Sequence, residues 1–185
     1  DVYKRQVIDT TESKKPRLLW DLSVHERYGN PGRPIMRRND GGKLVARVHD
    51  GALLLSGRGA SPEGDRPFLD RLHLDSLGSE RLWRCAPESY ESVSAVLDDG
   101  SVIMRHETKS SPPNYFRQTL TGGDRVALTS FEDPMPELRS IHKELVTYER
   151  EDGVPLSATL YLPPDYEPGT RLPLLVWAYP IEFTD

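Results

Sequence analysis

The chain has 185 residues and a mass of 21.0 kDa, with 29 acidic against 24 basic residues and a formal charge of −5. That length holds one full domain plus part of another, and the acidic balance argues against nucleic acid as a partner. The single cysteine, Cys85, excludes an internal disulfide framework and a multi-cysteine metal site, and no stretch approaches the roughly 20 apolar residues of a membrane helix.

Sixteen prolines and fourteen glycines point to many turns, as in an all-β domain, and a mean hydropathy of −0.59 is low but still globular. The opening residues, Asp1 to Gln6 (DVYKRQ), fit no pattern downstream; they read as a non-native scar and are set aside from the fold. Arg17 to Leu22 (RLLWDL) predicts a short strand. His25 to Gly42 (HERYGNPGRPIMRRNDGG) predicts a long loop. Its plain reading is a solvated surface loop, which carries more weight. The sharper one is a cationic patch of Arg33, Arg37 and Arg38 facing a cleft.

From Lys43 the texture changes to short strands with sharp turns: KLVARVH, ALLLSG, PFLDRLHL and ERLWRC, then SVSAVL, SVIMRHE, NYFRQTL and RVALTSF. Each is rich in Val, Leu or aromatics and bounded by Gly, Asp, Asn or Pro. Asp98-Asp99-Gly100 predicts a tight hairpin, because glycine supplies the positive φ such turns need, and Thr121-Gly122-Gly123-Asp124 predicts another. The strands fall into two groups of four. Leu74 and Leu120 stand at matching places in the two groups, an offset of roughly 46 residues, within the period of four-stranded propeller blades. Blades bury their faces against neighbouring blades, so two alone imply a further, N-terminal part.

Phe131 to Leu138 (FEDPMPEL) is a proline-broken connector. The expected division is therefore residues 7–138, the C-terminal part of a propeller, and residues 139–185, the start of a second domain. Lys143 to Arg150 (KELVTYER) and Val154 to Leu162 (VPLSATLYL) predict a hairpin turning at Asp152-Gly153. The most apolar run, Leu172 to Tyr179, has no alternation and predicts a strand buried on both faces of a helix-covered sheet. No such helices occur in the chain, so the expectation is a fragment.

KELVTYEREDGVPLSATLYLPPDYEPG followed by LPLLVWAYPIEF resembles the entry into the catalytic domain of the prolyl oligopeptidase family of serine peptidases. The pairing of these motifs, together with YGNPGRPIMRR, GRGASPEGDRPFLD and ESYESV upstream, most resembles the glutamyl endopeptidase branch. The resemblance implies propeller blades followed by the first strands of an α/β-hydrolase domain, peptide substrates and no cofactor. It also implies a Ser-Asp-His triad whose serine sits on a Gly-x-Ser-x-Gly turn. No such turn occurs here; Ser56 (LSGRG) and Ser61 (GASPEG) lack the flanking pattern and read as turn residues. The triad is thus expected outside the chain, which alone should hydrolyse nothing.

One catalytic contribution is implied by the resemblance: Tyr179, in WAYP, stands where the family places a tyrosine whose hydroxyl serves the oxyanion hole. Without the resemblance it reads as a core or interface tyrosine. A glutamyl preference requires a partner for the substrate carboxylate, a role that suits arginine, and Arg33, Arg37 and Arg38 are the candidates because they cluster. Cys85, with no nucleophile signature around it, reads as a buried structural thiol. None of His25, His49, His73, His106 and His142 stands at ligand spacing from another metal-binding residue, so no metal site is expected. Two other readings stay open: an exopeptidase of the same family, acting as a dipeptidyl or acylaminoacyl peptidase, and a catalytically inactive propeller that only binds.

Overall fold

The computed structural model describes residues 2–11, 15–121 and 123–178. Every regular element of the described chain is an antiparallel strand except a short 3-10 turn at Pro136–Ser140. It divides into two compact units, one running through Phe131 and one from Glu132 onward.

The first unit opens with β1 (Val2–Val7) antiparallel to β2 (Arg17–Ser23), pairing Val2 with Ser23 and Val7 with Arg17. The opening residues set aside as a scar therefore take part in a sheet. The expected loop over 25–42 is also interrupted by structure: β3 (Arg33–Pro34) and β4 (Met36–Arg38) lie within it. Both are too short to show a hydrophobic period, which is why they read as loop. KLVARVH in turn divides at Arg47 into β5 (Leu44–Ala46) and β6 (Val48–His49). The strands β7 (Ala52–Gly57), β8 (Phe68–His73) and β9 (Ser79–Arg84) follow as expected.

These short pieces form one interrupted strand. Along β7, Arg33 and Pro34 face Ser56 and Leu55, and Val48 and His49 face Leu53 and Ala52. Between them the Ile35 N–H donates to the Leu54 carbonyl at 2.8 Å, and the Arg47 N–H donates to the Ile35 carbonyl at 2.8 Å. The pair β4–β5, with Arg37 opposite Val45, is thus a hairpin inserted into the edge strand of a single-sheet meander that continues through β7, β8 and β9. A second meander follows from β10 (Tyr90–Val96), β11 (Val102–Glu107), β12 (Asn114–Gln118) and β13 (Val126–Ala127), in that order across the sheet. Its first turn is the expected one at Asp98-Asp99-Gly100, where Gly100 takes φ 80° and the Leu97 N–H donates to Ser101 at 2.8 Å.

β7 is apolar without alternation because both its faces are covered. Leu53 and Leu55 join Leu72, Leu19 and Trp20 on one side, while Leu54 joins Leu69, Val93, Val102 and Met104 on the other. The second cluster joins the two meanders, and Leu69, Val102 and Met104 are fully buried in it. Asp70 of β8, buried opposite a bulge at Leu82 of β9, is held by Arg81 of β9 in a bidentate pair. Cys85 is fully buried, as expected of a structural thiol: its Sγ accepts the Glu91 N–H at 3.1 Å and contacts the Ser89 carbonyl at 3.1 Å.

The second unit holds the hairpin of β14 (His142–Glu149) and β15 (Pro155–Leu162), turning as expected at Asp152-Gly153 with the Gly153 N–H donating to Arg150 at 2.8 Å. Among the described residues each strand pairs with the other alone. The expected third strand does not form over the described part of Leu172 to Tyr179. Residues 172–178 carry no strand, and Leu175 and Trp177 are 88% and 86% exposed. An apolar run becomes a doubly buried strand only when neighbouring strands pair with it and other layers cover it. Among the described residues of this unit, nothing does either. No described helix is long and apolar enough to cross a membrane.

Candidate functional site

The β3–β7 edge of the first unit carries an open cavity of about 510 Å³. Its position follows from strand period. Residues directly opposite in an antiparallel pair share a face, and so do residues two apart along a strand. Ile35 and Leu54 are packed against the core that joins the meanders. Moving outward along the same face, the next pair is Arg33 opposite Ser56, and Arg58 follows just past the end of β7. One face therefore grades from apolar core to cationic rim, and the cavity lies at that rim, lined by Arg33, Ser56 and Arg58.

Glycines keep the cavity open. Gly59 has φ 64°, and a Cβ there would fall 2.1 Å from the Arg66 carbonyl oxygen, which also accepts no alternative placement because the Arg66 N–H donates back to Gly59 at 2.9 Å. A Cβ on Gly32 would sit 2.6 Å from the Ser56 carbonyl oxygen. The wall is thus backbone against backbone, a close approach open to glycine alone. The lining also includes Glu26, Arg27, Asp65, Tyr90 and Ser92. Glu26 is partly occupied, since its Oε1 accepts the Gly29 N–H at 2.6 Å. The side chains of Arg33 and Arg58 have no hydrogen-bond or ion-pair partner among the described residues.

The structure separates the three arginines grouped from sequence. Arg33 lines the cavity, whereas Arg37 and Arg38 stand on β4 of the inserted hairpin and are not part of its lining. Arg38 instead donates to the Gly42 carbonyl at 2.8 Å, closing the hairpin tip. Tyr179 lies outside the described residues. Ser61 is a turn residue, as its Oγ donates to the Gly64 carbonyl at 2.7 Å. Sequence reading missed Arg58, because its link to Arg33 is a register relation between segments some 25 residues apart.

A second charged cluster sits away from the cavity. The Glu91 carboxylate accepts from Arg125 at 2.8 Å and meets His106 Nδ1 at 2.5 Å, while Arg125 lies 3.9 Å over the Phe116 ring. These contacts tie β10, β11 and β12 to the segment before β13 and are all satisfied within the sheet. His49 is exposed beside Asp50 at 3.1 Å. Among the described residues no three His, Cys, Asp or Glu side chains gather as a metal site.

No protein-family model matches the chain. Over 186 residues it is 39% identical to a protein of Oryza sativa subsp. japonica named "Probable glutamyl endopeptidase, chloroplastic", covering 91% of this chain and 20% of that protein. A protein of the same name from Arabidopsis thaliana is 37% identical over 187 residues, with coverages of 91% and 20%. The lasso peptide isopeptidase AtxE2 of Asticcacaulis excentricus is 30% identical over 116 residues, covering 60% of this chain and 16% of the isopeptidase. The chain thus spans about a fifth of the length of the curated relatives it matches over most of its own. Among solved structures, AtxE2 isopeptidase in a variant with Astexin3-dC4 bound aligns at a TM-score of 0.40 and 22% identity, over 74% of this chain and 22% of that one. The chain is a relative of proteins named as peptidases.

Proposed function

We propose that this chain works within a longer serine peptidase of the prolyl oligopeptidase family, hydrolysing peptide bonds through an acyl-enzyme and cutting after glutamate. The observation that carries the reading is the 39% identity, over 91% of the chain, to a protein named as a glutamyl endopeptidase. The two meanders are consistent with propeller blades, and residues 139–185 with the entry to an α/β-hydrolase domain. Two further features fit: a cavity with a net cationic rim in the first unit, and WAYP at Trp177 to Pro180, where a tyrosine hydroxyl would serve the oxyanion.

In this reading the nucleophilic serine attacks the carbonyl after glutamate, histidine takes its proton, and the amine leaves to give an acyl-enzyme that water hydrolyses. Tyr179 donates a hydrogen bond to the developing oxyanion. Arginine of the first unit neutralises the substrate carboxylate, with Arg33, Arg37 and Arg38 as the sequence candidates. The 30% identity to a lasso peptide isopeptidase over 116 residues favours a second reading of the same acyl chemistry, on an isopeptide bond.

The test is made on the full-length protein. A serine-directed fluorophosphonate should label one serine in a Gly-x-Ser-x-Gly turn, and peptides with a single glutamate should be cut after it. Tyr179→Phe should lower kcat on the order of 100-fold with little change in KM. An unlabelled protein that still binds peptides would be a binding propeller. Cleavage confined to isopeptide substrates would select the second reading.

A further inference from the structure

We propose that Arg33 and Arg58 form a two-pronged clamp for a single peptide carboxylate. Arg33 lies directly opposite Ser56 across β3 and β7, and Arg58 follows the last residue of β7, two positions after Ser56 in the chain. Both line the same cavity, both are exposed, and neither guanidinium is engaged by another described residue. A carboxylate held in the cavity accepts charge-assisted hydrogen bonds from both guanidiniums, and the Ser56 hydroxyl, in the same lining, is a third donor.

The lining favours a carboxylate: Arg33 and Arg58 have no partner among the described residues, while the Glu26 carboxylate in the same lining already accepts the Gly29 N–H. The planar two-oxygen carboxylate suits the guanidinium fork. The glycine wall holds the Ser56 and Arg66 backbones against Gly32 and Gly59, where a Cβ would have no room. The clamp rests on the peptidase reading for its role in cleavage, and it adds Arg58 to that reading in place of the hairpin arginines. The carboxylate has two sources, a glutamate or aspartate side chain or a peptide C-terminus.

Calorimetric titration of the full-length protein tests it with three peptides: one amidated with a single Glu, its Gln counterpart, and a Glu-free peptide with a free C-terminus. At low salt the Glu peptide should bind at least tenfold more tightly than the Gln peptide. Arg33→Ala and Arg58→Ala should each weaken it roughly tenfold or more, and Arg71→Ala on β8 should not. Preference for the free C-terminus over the Gln peptide, lost in the same two variants, would support the clamp and identify the other source. Equal binding of all three peptides, or discrimination unchanged in both variants, overturns it. Cleavage separates the clamp from the reading beneath it. Carboxylate binding through these arginines without any hydrolysis removes the peptidase reading alone. Hydrolysis whose Glu-to-Gln ratio is the same in wild type and both variants, with no binding discrimination, removes the clamp alone.

Discussion

Asp99 shows how a single turn residue can be tuned by its neighbours. Its carboxylate accepts the Ser101 hydroxyl at 2.6 Å and the Ser101 N–H at 3.0 Å, and Arg117 closes over its other oxygen. Ser101 first, then the charge of Arg117, hold the Asp99 pKa down to about 2. The unfolded value is about 3.9, so the ionised form favours the fold above that pH, and the contribution fades as pH falls from about 4 towards 2. Carboxyl carbon NMR titration should place the Asp99 midpoint near 2 in the wild type, and Ser101→Ala should move it up towards the ordinary range. A midpoint unmoved by that substitution would contradict the assignment. The hairpin itself was legible, since Asp-Asp-Gly between apolar strands has few other readings. The tuning was not, because Arg117 belongs to the next strand but one. Arg33 and Arg58 repeat the lesson: residue types and spacing along the chain singled out a cluster, while pairing register decided which member met the cavity.

At the scale of elements, nearly every strand longer than four residues was visible as an apolar run between turn residues. What escaped was the strand broken by its own insertion. Arg33-Pro34 and Val48-His49 are each two residues long, and only β7 reveals that they are parts of one edge. Arg47, at the point where the inserted hairpin rejoins that edge, secures the arrangement. Its guanidinium donates to the Val96 carbonyl at 2.9 Å, the Leu97 carbonyl at 3.0 Å and the Asp98 carboxylate at 2.8 Å. Its side chain is only 13% exposed, so it fastens the edge of the first meander to the first turn of the second. A lysine has the charge but not the fork. Arg47→Lys should leave two carbonyls short of a donor and destabilise the first unit by about 1–3 kcal/mol. Urea unfolding followed by tryptophan fluorescence measures this, and a midpoint equal to wild type would show that water replaces the guanidinium without loss.

The two units differ at the scale of the whole molecule in what they bury. The first covers both faces of its central strands, and its apolar residues Leu55, Leu69, Val102 and Met104 are almost wholly removed from water. In the second, β14 is exposed along its entire length, and Leu174, Leu175, Val176 and Trp177 are between 74% and 88% exposed. Four large apolar side chains in one run, beside a hairpin with two unpaired edges, form the kind of surface that soluble proteins cover. The sequence made this run conspicuous but assigned it a strand, because apolar continuity reports that a segment belongs in an interior without saying which elements supply it. The 185-residue chain made by itself should therefore self-associate through this run. Sedimentation should show concentration-dependent species larger than 21.0 kDa, and Leu175→Lys with Trp177→Lys should shift the population to monomer. The same double substitution should leave the unfolding midpoint of the first unit in place, since neither residue belongs to its core clusters. A wild-type chain that stays monomeric at high concentration would mean that the run finds cover within the chain.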